Sequence, residues 1–204
     1  AFAISLYVLR IAYLTYGENV APLIQALFLA LSGVTLLVLT PFGVALADQK
    51  NKVRIMYVTD WIRGLTILGI GLFLYFEPEA NIVLIALFLM NFILSINNAF
   101  FNPASSSLLR FIVKPEHIQK ATSYLQGSMN LQNIIGIILG GILYASLNIY
   151  VIFIINGVGY LISAFSEMFI RYDDTHETRA KYKLKDMLGD IRSGLAYMKS
   201  QKVI

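Results

Sequence analysis

Six stretches of mostly apolar residues recur along the 204-residue chain, parted by short polar breaks. A helix that crosses a bilayer needs about 20 such residues. The stretches cover about residues 1–16, 21–46, 55–76, 81–108, 121–146 and 149–170. The breaks carry turn and helix-stop chemistry: Gly17-Glu18-Asn19, Asp48 to Lys52, Glu77-Pro78-Glu79, Lys114-Pro115-Glu116 and Ser146 to Asn148. Pro115 suits the first turn of a helix, where its missing N–H costs nothing. Hydrophobic residues make up 57% of the chain and charged residues 14%, against about 25% charged in an ordinary soluble domain. There is too little polar surface to cover a core of that size in water. Lipid removes the contradiction, and the pattern predicts an all-α membrane protein.

The placement of positive charge gives an orientation. Lys50, Lys52, Arg54, Arg110, Lys114 and Lys120 flank the breaks after the second and fourth stretches, and eight more Lys and Arg follow the sixth. Together these are 14 of the 16 basic residues. The alternate breaks hold Glu18, Glu77 and Glu79 instead. Basic loops stay on the cytoplasmic side, so the even-numbered helices are expected to end there. The N-terminus is then cytoplasmic, in the inner cell membrane. The net charge of +4 is loop charge of this kind, not a nucleic-acid footprint.

Other classes are excluded by what is missing. There is no cysteine, and the two histidines, His117 and His176, lie in polar stretches. Neither a disulfide framework nor a thiolate or histidine metal site is expected, and no cofactor is implied. No Walker-type glycine loop, GxSxG or HExxH occurs, so the chain reads as neither an ATPase nor another enzyme. No signal peptide is visible. The chain opens inside an apolar segment and stops in mid-pattern at Val203-Ile204, which reads as a piece of a longer protein. Residues 172–204 are polar, with Met187, Leu188, Ile191, Leu195 and Met198 at helical spacing. They predict an amphipathic helix at the cytoplasmic surface, either a linker or a lipid-binding element.

Ionisable residues inside a span are costly and mark function or pairing. Four occur: Arg10, Asp60, Arg63 and Glu167. Asp60 and Arg63 stand three apart on one helix face. They read either as a structural ion pair or as a proton-coupling latch. Arg10 is expected to face a water-filled cavity or a buried structural partner. Glu167, near the inner end of the sixth span, reads as an interface residue near water or as a proton carrier. Asn91, Asn98 and Asn102 fall on one stripe of the fourth span, for helix packing or for substrate. Gly136 and Gly140 have small-xxx-small spacing, followed by Gly141, and predict a close helix approach on the fifth span.

These motifs together resemble the major facilitator superfamily, in its branch of macrolide-efflux and enterobactin-exporter-like permeases. Five segments carry the resemblance. Pro41 to Asp48, with Lys52 and Arg54 beyond, is similar to the superfamily's loop between helices two and three. Asp60-Trp61-Ile62-Arg63 is similar to the branch's acid-x-x-Arg of helix three. Phe100 to Ala104, through Pro115-Glu116, resembles its helix-four signature. Gly136, Gly140 and Gly141 resemble the antiporter motif of helix five, and Ser193 to Tyr197 the start of the central linker. Gln49 stands where the family has Arg, Val44 where it has Gly, Ile137 where it has Pro and Gln132 where it has Gly.

The resemblance implies the N-terminal six-helix half of such a fold, residues 1–171, with inverted 3+3 helix repeats, and the start of a cytoplasmic linker over 172–204. It implies a gating role for Asp48, through contacts with a second six-helix half. It also implies a proton-coupled efflux permease for lipophilic or amphiphilic small molecules, working by alternating access among membrane lipid. A siderophore or lipid carrier on the same fold, or a non-transporting membrane scaffold, are the alternatives.

Overall fold

Each apolar stretch is a helix and each polar break a turn in a computed structural model, which describes residues 2–171. The helices are α1 (Phe2–Tyr16), α2 (Ala21–Gln49), α3 (Lys52–Tyr75), α4 (Ala80–Ile112), α5 (Ile118–Ser146) and α6 (Ile149–Glu167). A single 3-10 turn, Pro115–His117, leads into α5. The amphipathic linker helix expected within 172–204 lies outside the described residues.

The helices run further than apolarity alone marks. α2 continues through Asp48 to Gln49, and α3 begins at Lys52. The break between them is therefore only Lys50 and Asn51. Asn51 makes this abrupt restart possible, because its side chain accepts a hydrogen bond from the Arg54 backbone N–H at 2.9 Å. This satisfies one of the orphan donors of the first turn. At the opposite end, Gly17 turns the chain from α1 into α2 with φ +82°, a conformation that glycine adopts without strain. Tyr16 donates to the Asn81 side chain at 2.9 Å and ties the end of α1 to the start of α4.

Packing follows an inverted-repeat plan. α3 lies antiparallel against α6: Gly71 faces Phe153 and Ile154, Gly64 faces Leu161, and Gly157 faces Leu68. α2 and α4 run in the same direction, with Phe28 beside Asn91 near one end and Gly43 against Ala99 near the other. Exchanging α1–α3 with α4–α6 maps the α3–α6 contact onto itself and the α2–α4 contact onto that of α1 with α5, all of which are present. The α1–α5 contact is much smaller than the α2–α4 one, and the α3–α4 contact has no counterpart of like size between α6 and α1.

Two apolar clusters hold the bundle. The larger joins Ile4, Val8, Phe28, Ile67, Leu87 and Phe153, among others. The smaller joins Ala47, Val53, Met56, Ala104 and Leu108 beside the α2–α3 turn. α5 stands apart, with no buried residue along its 29 residues. α2 buries only five of its 29. Five of the helices are long and apolar enough to cross a membrane, and α1 is a shorter apolar helix.

Candidate functional site

Three buried charges, those of Asp60, Arg63 and Glu167, converge where α3, α4 and α6 meet. Asp60 and Arg63 are 2% and 5% exposed and Glu167 is 9% exposed. The i, i+3 spacing on α3 lets Arg63 Nη1 donate to Asp60 Oδ1 at 2.8 Å. Arg63 Nη2 donates to the Asn98 side-chain oxygen of α4 at 2.9 Å. Ser163 of α6 lies beside the same Asp60 carboxylate. The guanidinium lies over the Phe101 ring at 4.4 Å and near the Tyr160 ring at 5.7 Å. Aromatic faces of this kind stabilise a cation where water cannot reach it. Glu167 interacts electrostatically with both Asp60 and Arg63.

Arg63 also opens onto a cavity of about 430 Å³ between α1, α2, α3, α4 and α6. Phe28, Leu36, Ile67 and Met90 form apolar walls, and Asn91, Asn98 and Asn156 add polar side chains to the lining. Asn91 keeps its amide in place by donating to the Phe28 carbonyl at 2.7 Å. That size and mixture suit a small molecule with much apolar surface and a few polar groups.

Not every residue marked by the sequence belongs here. Arg10 is exposed and lines a separate hollow with Glu18, Tyr13 and Tyr144, between α1, α2 and α5. Asn102 is exposed, although it shares a stripe with Asn91 and Asn98. Among the described residues, none comes within 4 Å of a Cβ placed at Gly136 or Gly141, and Gly140 meets Phe2 and Ala3 of α1 at ordinary contact distance. The close approaches occur at Gly43, Gly64, Gly71 and Gly157 instead. Of the group around the α2–α3 turn, Asp48 and Arg54 are exposed, while Lys52 is buried with its amine 4.6 Å from the centre of the Phe111 ring.

A six-helix bundle with a polar cavity and a buried charge cluster fits several membrane families, and sequence similarity separates them. The profile described as Major Facilitator Superfamily matches residues 1–204. The chain belongs to the major facilitator superfamily. It is accordingly a multi-pass membrane protein. Among curated relatives, "Uncharacterized MFS-type transporter YkuC" of Bacillus subtilis (strain 168) is 30% identical over 167 residues, covering 78% of this chain and 37% of that protein. "Uncharacterized MFS-type transporter YfiS" of the same strain is 25% identical over 190 residues, covering 91% of the chain and 43% of that protein. A third, "Putative bacilysin exporter BacE" of the same strain, is 32% identical over 129 residues, covering 63% of the chain and 31% of that protein. The chain thus spans less than half the length of the curated relatives it matches. No solved structure matches it.

Within this superfamily chain, the residues that sequence reasoning missed sit mainly on α6. Asn156, Tyr160 and Ser163 all reach the charge cluster or the cavity. They recur at intervals of four and three residues, the spacing of one helix face. That spacing was available in the sequence, but one polar residue per turn in an apolar span gives no strong signal.

Proposed function

We propose that this chain is the N-terminal half of a secondary active exporter. It moves lipophilic or amphiphilic small molecules across the cytoplasmic membrane by alternating access, with protons as the coupling ion. The observation that carries the reading is the cavity of about 430 Å³, apolar on most sides and lined also by Arg63 and three asparagines. A membrane scaffold has no need of a polar-lined hollow within its spans, where polar groups are costly. The BacE relative, named for bacilysin export, supports outward transport. Substrate would sit between this half and a second six-helix half, which covers the apolar faces of α2 and α5 together with lipid. The test is the full-length protein in vesicles under an imposed pH gradient. Gradient-dependent movement of a lipophilic fluorescent dye is expected. Movement that ignores the gradient would remove proton coupling, and none at all would favour the scaffold.

Orientation has its own test. The chain has no native cysteine, so single cysteines at Lys50 and Glu79, both exposed, can be labelled cleanly. An impermeant reagent is expected to reach Glu79→Cys from outside the cell and Lys50→Cys only after permeabilisation. Labelling of both from one side would defeat the six-span topology.

Asp48, exposed in the last turn of α2, is read as a gating contact to the second half. A hydrogen bond to a charged group is worth about 1.5–3 kcal/mol, roughly ten- to a hundredfold in an equilibrium. Asp48→Asn should therefore slow transport by roughly that factor while leaving expression and thermal stability unchanged. Wild-type transport in this variant would reduce Asp48 to a helix-end residue.

A further inference from the structure

Among the described residues, the charge cluster is out of balance. Arg63 is one cation and Asp60 and Glu167 are two acids, all at least nine-tenths buried. The Asp60–Arg63 pair is already complete at 2.8 Å. Glu167 Oε2 is buried without a hydrogen-bond partner, and so is Arg63 Nε. One orphan is an acceptor and the other a donor, on helices packed face to face.

A carboxylate buried without a counter-ion is far more costly than a neutral acid. Among the described residues, the charged groups beside Glu167 are Asp60 and Arg63 of α3, whose buried Lys52 lies further along against the Phe111 ring. α4 turns neutral side chains, Asn98 and Phe101, toward Arg63. α5 touches α6 only lightly. On α6 itself Tyr160 and Ser163 are neutral, and Arg171 is exposed past the helix end. We propose that Glu167 carries the exchangeable proton of this half, and that Arg63 trades Asn98 for Glu167 when the proton leaves.

With the proton on, Glu167 is neutral, Arg63 holds Asp60 and Asn98, and the cavity wall keeps its present form. With the proton off, the new carboxylate attracts the guanidinium and its free Nε. Asn98 then loses its donor at 2.9 Å, and its amide oxygen is released into the cavity. The proton is thereby read at the substrate surface through one side chain with two alternative partners. The use of this switch rests on the proton-coupled reading above; its protonation chemistry does not.

The test is infrared spectroscopy on the full-length protein, following the carbonyl band of protonated carboxyl groups as pH is raised. Near neutral pH a band is expected that shifts when glutamate carboxyls carry carbon-13 and stays put when aspartate carboxyls do. Glu167→Gln should abolish it, and Glu167→Asp should move it to the aspartate label. In Asn98→Ala the competitor for Arg63 is gone, so the band should vanish at a lower pH than in wild type. A band that follows the aspartate label in wild type, or that survives in folded Glu167→Gln, would overturn the assignment of the proton. An unchanged midpoint in Asn98→Ala would overturn the exchange of partners. A normal band in a preparation that moves no dye would count against the exporter reading alone.

Discussion

Arg63→Gln is expected to destabilise the bundle by about 3–5 kcal/mol, the usual cost of breaking a buried pair by removing one partner. It is the most damaging single change in the cluster, because it leaves the Asp60 carboxylate buried with no cation and Glu167 with none to receive. Asp60→Asn should cost less. The guanidinium keeps its hydrogen bond to Asn98 and its seat over Phe101, and Glu167 stands ready as a replacement counter-ion. About 1.5–3 kcal/mol, the worth of a hydrogen bond to a charged group, is the appropriate scale. The double variant Asp60→Asn/Arg63→Gln should recover much of the loss seen in Arg63→Gln alone, since no cation is needed once the closest acid is gone. Thermal unfolding of the purified variants in one detergent gives the order. If the two single variants prove equally unstable, Glu167 does not compensate for Asp60. If the double variant is worse than either, the pair is no closed unit and the cycle of energies does not couple.

A second large effect is expected at Gly43. A Cβ there would fall inside the contact radius of the Ala99 carbonyl oxygen and 2.8 Å from its carbonyl carbon. These are backbone atoms of α4 and cannot rotate away. Gly43→Ala must therefore push α2 from α4, at a cost of about 1–3 kcal/mol, as is typical of overpacking, and more for Gly43→Val. Gly136→Ala is the control. Nothing lies within 4 Å of that position, and replacing a helical glycine by alanine gains about 0.8–1.0 kcal/mol of propensity in water. Melting temperatures should thus move in opposite directions. Equal behaviour of the two variants would mean that the α2–α4 contact yields without strain.

The contrast between these glycines shows what a sequence can and cannot carry. The six helices were legible because hydropathy and loop charge act residue by residue, without reference to neighbours. Their inner ends were not, since Lys52 and Asp48 look like loop residues until Asn51 is seen to cap a helix between them. Asp60 and Arg63 were legible as a pair because three residues on a helix fix their separation. That Glu167 joins them depends on the register of α3 against α6, which no local spacing encodes. Small-xxx-small spacing pointed to Gly136 and Gly140, yet close packing falls at Gly43, Gly64 and Gly157. A glycine allows approach but does not name the helix that approaches.

Because Asp60 and Arg63 belong to the same helix, their pairing needs no tertiary partner. An isolated Asp or Arg at the centre of a span costs about 2.5–3.5 kcal/mol on insertion scales. Carried together one turn apart, the two can cancel while α3 is still passing from the translocon into lipid. The stretch of α3 beyond Arg54 then enters the bilayer internally neutral, with Lys52 and Arg54 left at its end, and waits for α4 and α6, made later, to close over it. Had the same two charges been placed on different helices, each would have crossed alone.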